Sequence, residues 1–185
     1  MQRKQNRSLA ARLSRSVHDA FDAIQIMPSD APVAATKPFK IPRSTMIVIY
    51  NQQREVLLIE RADRPGYWQS VTGSQEEGES LIETATREVM EETGIDVSRH
   101  QLTDWRQEHV YEIFPIWRHR YAPDVTHNTE HVFGLQVNER VPVRLHLREH
   151  LQYVWLSVAQ AAPLCFSWSN REAVLSLPMR VRAEA

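Results

Sequence analysis

The sequence predicts an α+β domain, a mixed β-sheet with helices layered on it as an α/β/α sandwich. Three observations carry this. Short apolar, β-branched runs recur through the middle of the chain. One segment among them, Ser80–Thr93, has the punctuation of a helix at both ends. After Pro163 the pattern returns to helix. A chain of 185 residues has room for one domain of the usual roughly 100–200 residues and a tail.

The elements follow in order. Arg3, Lys4, Arg7, Arg12 and Arg15 all precede the first acid, Asp19. Leu9, Leu13, Val17, Phe21 and Ile24 recur at helical spacing, so this stretch reads as an Arg-rich amphipathic helix. It is either a targeting or membrane-surface segment or a plain N-terminal extension, and Met27 is an alternative start. Pro28, Pro32, Pro38 and Pro42 mark an extended linker. Residues 1–38 are thus expected to be extension and linker, and residues 39–185 the domain. Strands are expected at Met46–Tyr50, Val56–Ile59 and Tyr67–Gly73, with a polar turn at Asn51–Arg54. Ser80–Thr93 is the helix. Ser80 and Glu83 have capping-box spacing at its start, and Gly94 stands at its C-terminal cap. Further strands are expected at Leu102–Glu108, Trp117–Tyr121, His131–Val137 and Leu151–Leu156. One or two short helices lie in Ser167–Leu177.

Composition removes several function classes. Lys plus Arg is 22 and Asp plus Glu is 23, a net charge of −1. Such a chain has no global electrostatic attraction for nucleic acid or an anionic membrane. Cys165 is the single cysteine, so there is no internal disulfide and no multi-Cys zinc cluster. A lone thiol fits a reducing compartment, and the cytoplasm is the expected location. No apolar run approaches the roughly 18 residues of a membrane span.

The chemistry concentrates on the Ser80–Thr93 helix. At about 100° per residue, with Glu88 at zero, Glu91 falls at about 300° and Glu92 at about 40°. Three carboxylates therefore share a face. Ala85, Val89 and Ile82 form an apolar stripe beside it, which should pack on a sheet. Like charges at i,i+3 and i,i+4 repel. A divalent cation would offset that, and oxygen ligands suit Mg²⁺ or Mn²⁺ better than zinc. The alternative is a solvated acidic face screened by Arg87.

Gly73, five residues, Glu79, seven residues, then Arg87-Glu88-Val89-Met90-Glu91-Glu92-Thr93-Gly94-Ile95 resembles the Nudix box at every fixed position. The resemblance implies a Nudix hydrolase with the Nudix α/β/α sandwich and a mixed sheet, cleaving a diphosphate linkage with Mg²⁺ (or Mn²⁺). It implies metal ligation by Glu88 and Glu92, with Glu91 at the same site, and an Arg87–Glu79 pair that orients the helix.

Further blocks resemble the branch of this family that acts on a pterin triphosphate in the bacterial folate pathway. They are Tyr67–Ser74, Ile113-Phe114, Arg118–Pro123, Val125-Thr126, Asn128–Glu130, Glu149–Leu151, Tyr153, Trp155-Leu156 and Ser167–Arg171. They run in order from about Lys40 and leave the N-terminal extension unmatched. They imply hydrolysis of 7,8-dihydroneopterin triphosphate to dihydroneopterin monophosphate and diphosphate. Lys40, Arg61 and Thr72 would contact this small-molecule substrate. The segment Tyr111, Glu112, Ile113 and Phe114, with Ser167, would line the pterin end. Glu149 would complete the metal site, and Glu91, Glu92 and Glu149 are the catalytic candidates.

Each residue also has an ordinary reading. Lys40 and Arg61 suit a triphosphate but also a solvated surface. Tyr111 and Phe114 suit a flat ring but also a core. Glu130 rivals Glu149; Glu149 is preferred because it sits just before a strand. Arg118-His119-Arg120 is either a phosphate clamp or the outer face of a strand, and His119 is read as structural. Cys165 reads as a small buried residue. Two other functions remain open: a Nudix diphosphatase acting on dATP or another purine nucleotide, and a non-catalytic Nudix-like binding module. The intact Glu88, Glu91 and Glu92 argue against the last.

Overall fold

The computed structural model describes residues 38–183; the expected N-terminal helix and most of the linker lie outside them. Seven strands form one mixed sheet: β1 (Arg43–Asn51), β2 (Glu55–Arg61), β3 (Trp68–Gln69), β4 (Val71–Ser74), β5 (Gln101–Glu112), β6 (His127–Val137) and β7 (His150–Ser157). Helices α1 (Leu81–Thr93), α2 (Val158–Ala161) and α3 (Trp168–Ala183) accompany it. β1 is central. It runs parallel to β6, with Ser44 beside Glu130 and Met46 beside Val132, and antiparallel to β4 and β2. β5 extends the β6 side and β7 pairs with β2.

β1 is buried on both faces, which is why its sequence is a nearly continuous apolar run. Alternate side chains enter different layers. Met46, Val48 and Tyr50 pack with Ala173, Val174 and Leu177 of α3. Ile47 and Ile49 pack with Ala85 and Val89 of α1. The mixed sheet between two helical layers is the expected α/β/α arrangement.

α1 forms as its punctuation dictates. Ser80 Oγ accepts from the Glu83 N–H, and the Glu83 carboxylate accepts from the Ser80 N–H at 2.7 Å. Gly94 closes the helix in the left-handed region at φ 68°, where a side chain is disfavoured. Ile82 departs from the expected stripe: it is exposed, and Leu81 makes the apolar contact at this end of the helix.

Other expectations change. Trp117–Tyr121 is not a strand but part of a 3₁₀ turn, Pro115–Arg120, with Pro115 in its first turn. Proline has no N–H for a ladder, so β5 ends before it. The segment Tyr67–Gly73 is divided at Ser70: β3 pairs with β2 and β4 crosses to β1. β5 runs beyond both expected ends and carries a bulge between Asp104 and Gln107. Arg106 there adopts φ 51°, and its N–H is held by Asp104 Oδ1 at 2.7 Å. Cys165 is buried among the residues under α3, and burial pushes its thiol up to about 11. Among the described residues no helix is long and apolar enough to cross a membrane.

Candidate active site

Arg87 organises the acidic face of α1. Its Nε and Nη2 grip both Glu79 oxygens at 2.7 and 3.0 Å. Its Nη1 reaches Glu88 at 2.8 Å and Glu91 at 3.2 Å. Nη2 also donates to the Ser74 carbonyl at 3.1 Å. One guanidinium therefore ties α1 to the strand and loop before it, using the planar fork that only Arg offers. Hydrogen bonds from Arg87, the Glu76 N–H and Thr84 hold the Glu79 carboxyl down at about 2. Glu88 is pushed the other way, up to about 7, chiefly by burial and further by Glu92 and Glu91, against the pull of Arg87. Glu88 lies directly over Gly73. A Cβ on Gly73 would fall 1.8 Å from Glu88 Cδ, so any side chain there displaces the Glu88 carboxylate.

Glu92 is the most enclosed of the three box acids; Glu91 is the exposed one. Burial raises the Glu92 pKa, with His150 opposing. His150 Nε2 stands 3.3 Å from Glu92 Oε1, while Glu92 Oε2 and His150 Nδ1 have no hydrogen-bond partner. The backbone builds this meeting. Arg144 N–H and His146 N–H cap the free carbonyls of Thr93 and Glu92 at 2.8 and 3.3 Å. That docks the loop before β7 on the end of α1 and delivers Glu149 and His150. Glu92, Glu149 and His150 each offer a donor atom, all within 4.8 Å of one another. Two carboxylates, one imidazole and orphaned buried donor atoms are a set that fits a divalent cation. Glu130, the rival to Glu149, is outside this group.

A cavity of about 820 Å³ joins these acids to the other expected residues. Its wall includes Gly73, Arg87, Glu88, Glu91, Glu92 and Glu149, and also Lys40, Arg61, Thr72, Tyr111, Glu112, Ile113, Phe114 and Ser167. Glu79 is not in the wall; it stands behind Arg87.

Several of these side chains already have partners. Lys40 Nζ donates to Ser74 Oγ at 3.0 Å; burial and Arg120 lower its pKa. Arg61 pairs bidentately with Asp63, both contacts 2.8 Å, and lies over the Trp117 ring. Its Nη1 donates to Gln69, whose amide donates to Thr72 Oγ1. Tyr111 accepts from Asn128 Nδ2 at 3.1 Å, and burial raises its pKa. Ile113 is buried, Phe114 is exposed edge-on to Trp117, and Glu112 pairs with Arg118. Ser167 Oγ accepts from the Asn170 N–H at 3.2 Å, so it also caps α3.

Sequence reasoning missed His150, whose signal was adjacency to Glu149 in the run before β7. It also missed Ser44, Asn128 and Trp168, which share the cavity wall. For Asn128 and Glu130 the signal was strand alternation, since both fall in phase with buried Val132. Of the Arg118–Arg120 run, Arg120 faces the cavity and Arg118 turns to Glu112.

Comparison with known proteins identifies the family. A model of the NUDIX domain matches residues 40–177. The chain is 49% identical over 142 residues to the dihydroneopterin triphosphate diphosphatase of Escherichia coli K12, covering 75% of this chain and 93% of that protein. It is 39% identical over 152 residues to the Haemophilus influenzae protein of the same name, covering 80% of this chain and 94% of that one. The solved structure of the E. coli dihydroneopterin triphosphate pyrophosphohydrolase superposes with a TM-score of 0.70 at 47% identity, covering 75% of this chain and 95% of that one. With the domain match spanning most of the chain and the box geometry in place, this chain belongs to the Nudix hydrolase family.

Proposed function

We propose that the enzyme hydrolyses 7,8-dihydroneopterin triphosphate to dihydroneopterin monophosphate and diphosphate, a step of folate biosynthesis, with Mg²⁺ or Mn²⁺ as cofactor. The observation that carries this reading is one cavity that spans both the acidic face of α1 and a wall of aromatic and polar groups. The two similarly named relatives support the choice of substrate. The catalytic domain is residues 39–185, with residues 1–38 an appended extension. A cytoplasmic location is consistent with the single buried thiol.

Glu88, Glu92 and Glu149, with His150 beside them, are the residues that would hold the cation. When bound, it neutralises charge on phosphate oxygens and lowers the pKa of the attacking water. The chain's own groups do the rest. Lys40 and Arg61 bind and orient the phosphates as charge builds on them. Glu149, more exposed than Glu92, would take the proton from the water that attacks a phosphorus of the triphosphate, with Glu91 at the same face. Arg87 and Glu79 hold the acids in place. Thr72 and the Tyr111–Phe114 segment, with Ser167, receive the rest of the substrate.

Phosphorus NMR of the products tests the reaction. Diphosphate and the monophosphate ester should appear together. Release of inorganic phosphate one group at a time would contradict it.

A further inference from the structure

The chain has three lysines, Lys4, Lys37 and Lys40, and only Lys40 falls within the described residues. It is half-buried in the wall of the cavity. Its backbone N–H is fixed by the Arg120 carbonyl at 2.9 Å, and its Nζ donates to Ser74 Oγ at 3.0 Å. The amine is therefore held in place, whereas an exposed lysine swings on a flexible four-carbon stem. Among the described residues no carboxylate forms an ion pair with it. Burial and Arg120 lower its pKa against the opposing pull of Glu88 and Glu149. That raises the share of the neutral amine, which is the nucleophilic form. The hydrogen bond to Ser74 uses an N–H and leaves the nitrogen lone pair free.

Two cations in the same wall are uncommitted. Arg61 is taken by Asp63, and Arg87 by Glu79, Glu88 and Glu91. Arg120 and Arg148 line the cavity with no side-chain ion pair or hydrogen bond among the described residues. They come from separate segments, the 3₁₀ turn after β5 and the run before β7. Guanidinium groups match the oxygens of a phosphoryl group in charge and in geometry. Arg120 is also the residue whose carbonyl holds Lys40, so a phosphoryl group on its guanidinium brings its own substituent toward the Lys40 amine.

We propose that Lys40 is a modification site for acyl phosphates, whose phosphoryl group docks on Arg120 and Arg148 while the Lys40 amine takes the acyl group. In the step, the Nζ lone pair attacks the acyl carbon and a C–N bond forms. The C–O bond to the phosphoryl group breaks, and phosphate leaves with the bonding pair. The proton released from Nζ goes to the departing phosphate, so an amide and hydrogen phosphate are the products. No oxidant or further reactant enters. Anchoring one end of the reagent beside a fixed nucleophile turns a collision into a local reaction, which is a large rate advantage over a free lysine. The amide is neutral, so acylation removes a cation from the wall that receives the triphosphate. The modified enzyme should bind that substrate more weakly. The proposal rests on the substrate reading only for the role of these cations toward phosphate.

The test treats the full chain with acetyl phosphate and follows acetylation of Lys4, Lys37 and Lys40 by peptide mass spectrometry. A parallel reaction uses the N-hydroxysuccinimide ester of acetic acid, which carries the same acyl group without a phosphoryl anchor. The ratio of the Lys40 rate to the Lys37 rate should be at least about tenfold higher with acetyl phosphate than with the ester. Inorganic diphosphate should suppress acetyl phosphate labelling of Lys40 and leave Lys37 unaffected. Arg120→Ala should lower the Lys40 rate with acetyl phosphate more than with the ester. Equal ratios for the two reagents, or labelling of Lys40 that diphosphate does not suppress, overturns the proposal. If dihydroneopterin triphosphate is not hydrolysed while Lys40 is labelled as stated, the substrate reading falls and the modification site stands.

Discussion

Glu92 Oε1 and His150 Nε2 lie 3.3 Å apart, with both side chains almost wholly buried. The last turn of α1 and the first residue of β7 thus meet at one point, and Glu149 stands beside them. This contact joins the box helix to a residue more than fifty positions away.

Glu92→Gln should keep the fold and lose the activity. The amide retains the shape but not the charge that a cation requires. The expected loss in kcat is at least about 100-fold, the scale of removing an electrostatic or acid–base group. Turnover at saturating Mg²⁺, with circular dichroism as the folding check, decides it; near-wild-type turnover would sink the role given to Glu92.

Gly73→Ala should damage the site without touching a charged group. The added methyl would overlap Glu88, so the carboxylate must move. We expect weaker Mg²⁺ binding with little change in melting temperature, because the end of a flexible side chain gives way. A variant with unchanged Mg²⁺ affinity would show that the Glu88 carboxylate can move without cost to the site.

Glu88 sets a pH dependence of stability in the metal-free protein. Its folded pKa is about 7 against 4.5 for the free side chain. Between these values the folded state holds more protons than the unfolded one, so stability falls as pH rises from about 4.5 to about 7. The contribution is at most about 3.4 kcal/mol at 1.36 kcal/mol per pH unit. The raised pKa of Glu92 acts in the same direction. The low pKa of Glu79 acts oppositely, with stability lost only as pH falls below about 4.5 toward 2. Melting curves of wild type and Glu88→Gln across this range check the sign. The wild type should lose more stability than the variant as pH rises to 7, and Mg²⁺ should restore it.

Ser167→Ala combines two effects, because Ser167 caps α3 and also lines the cavity. Loss of the cap should cost about 1 kcal/mol of stability. Independently, kcat/KM for dihydroneopterin triphosphate should fall about tenfold more than for dATP. Arg61→Ala should weaken both substrates to a similar degree, and it frees Asp63 from its partner. Equal losses for both substrates in Ser167→Ala would contradict the division into a ring end and a phosphate end.

Local signals made the central helix legible: Ser80 and Glu83 at one end, Gly94 at the other, and the carboxylate period between. The buried strands were legible for the same reason, since Met46–Tyr50 has no polar face. What differed depended on which neighbours the folded chain supplies. Trp117–Tyr121 alternates like a strand, but Pro115 and the absence of a pairing edge make it a turn. Ile82 has the right angle, but Leu81 takes the apolar contact. Glu130 and His150 belong to the site only because β6 and β7 bring them there, and parallel pairing of β1 with β6 cannot be read from local pattern.

The most direct measurement is kcat/KM for 7,8-dihydroneopterin triphosphate and for dATP in parallel, with Mg²⁺ and detection of diphosphate. The account predicts that the pterin triphosphate is the better substrate and that both reactions require the cation. A higher kcat/KM for dATP would contradict the pterin assignment while leaving the chain a Nudix hydrolase, and no diphosphate from either would contradict the catalytic reading itself.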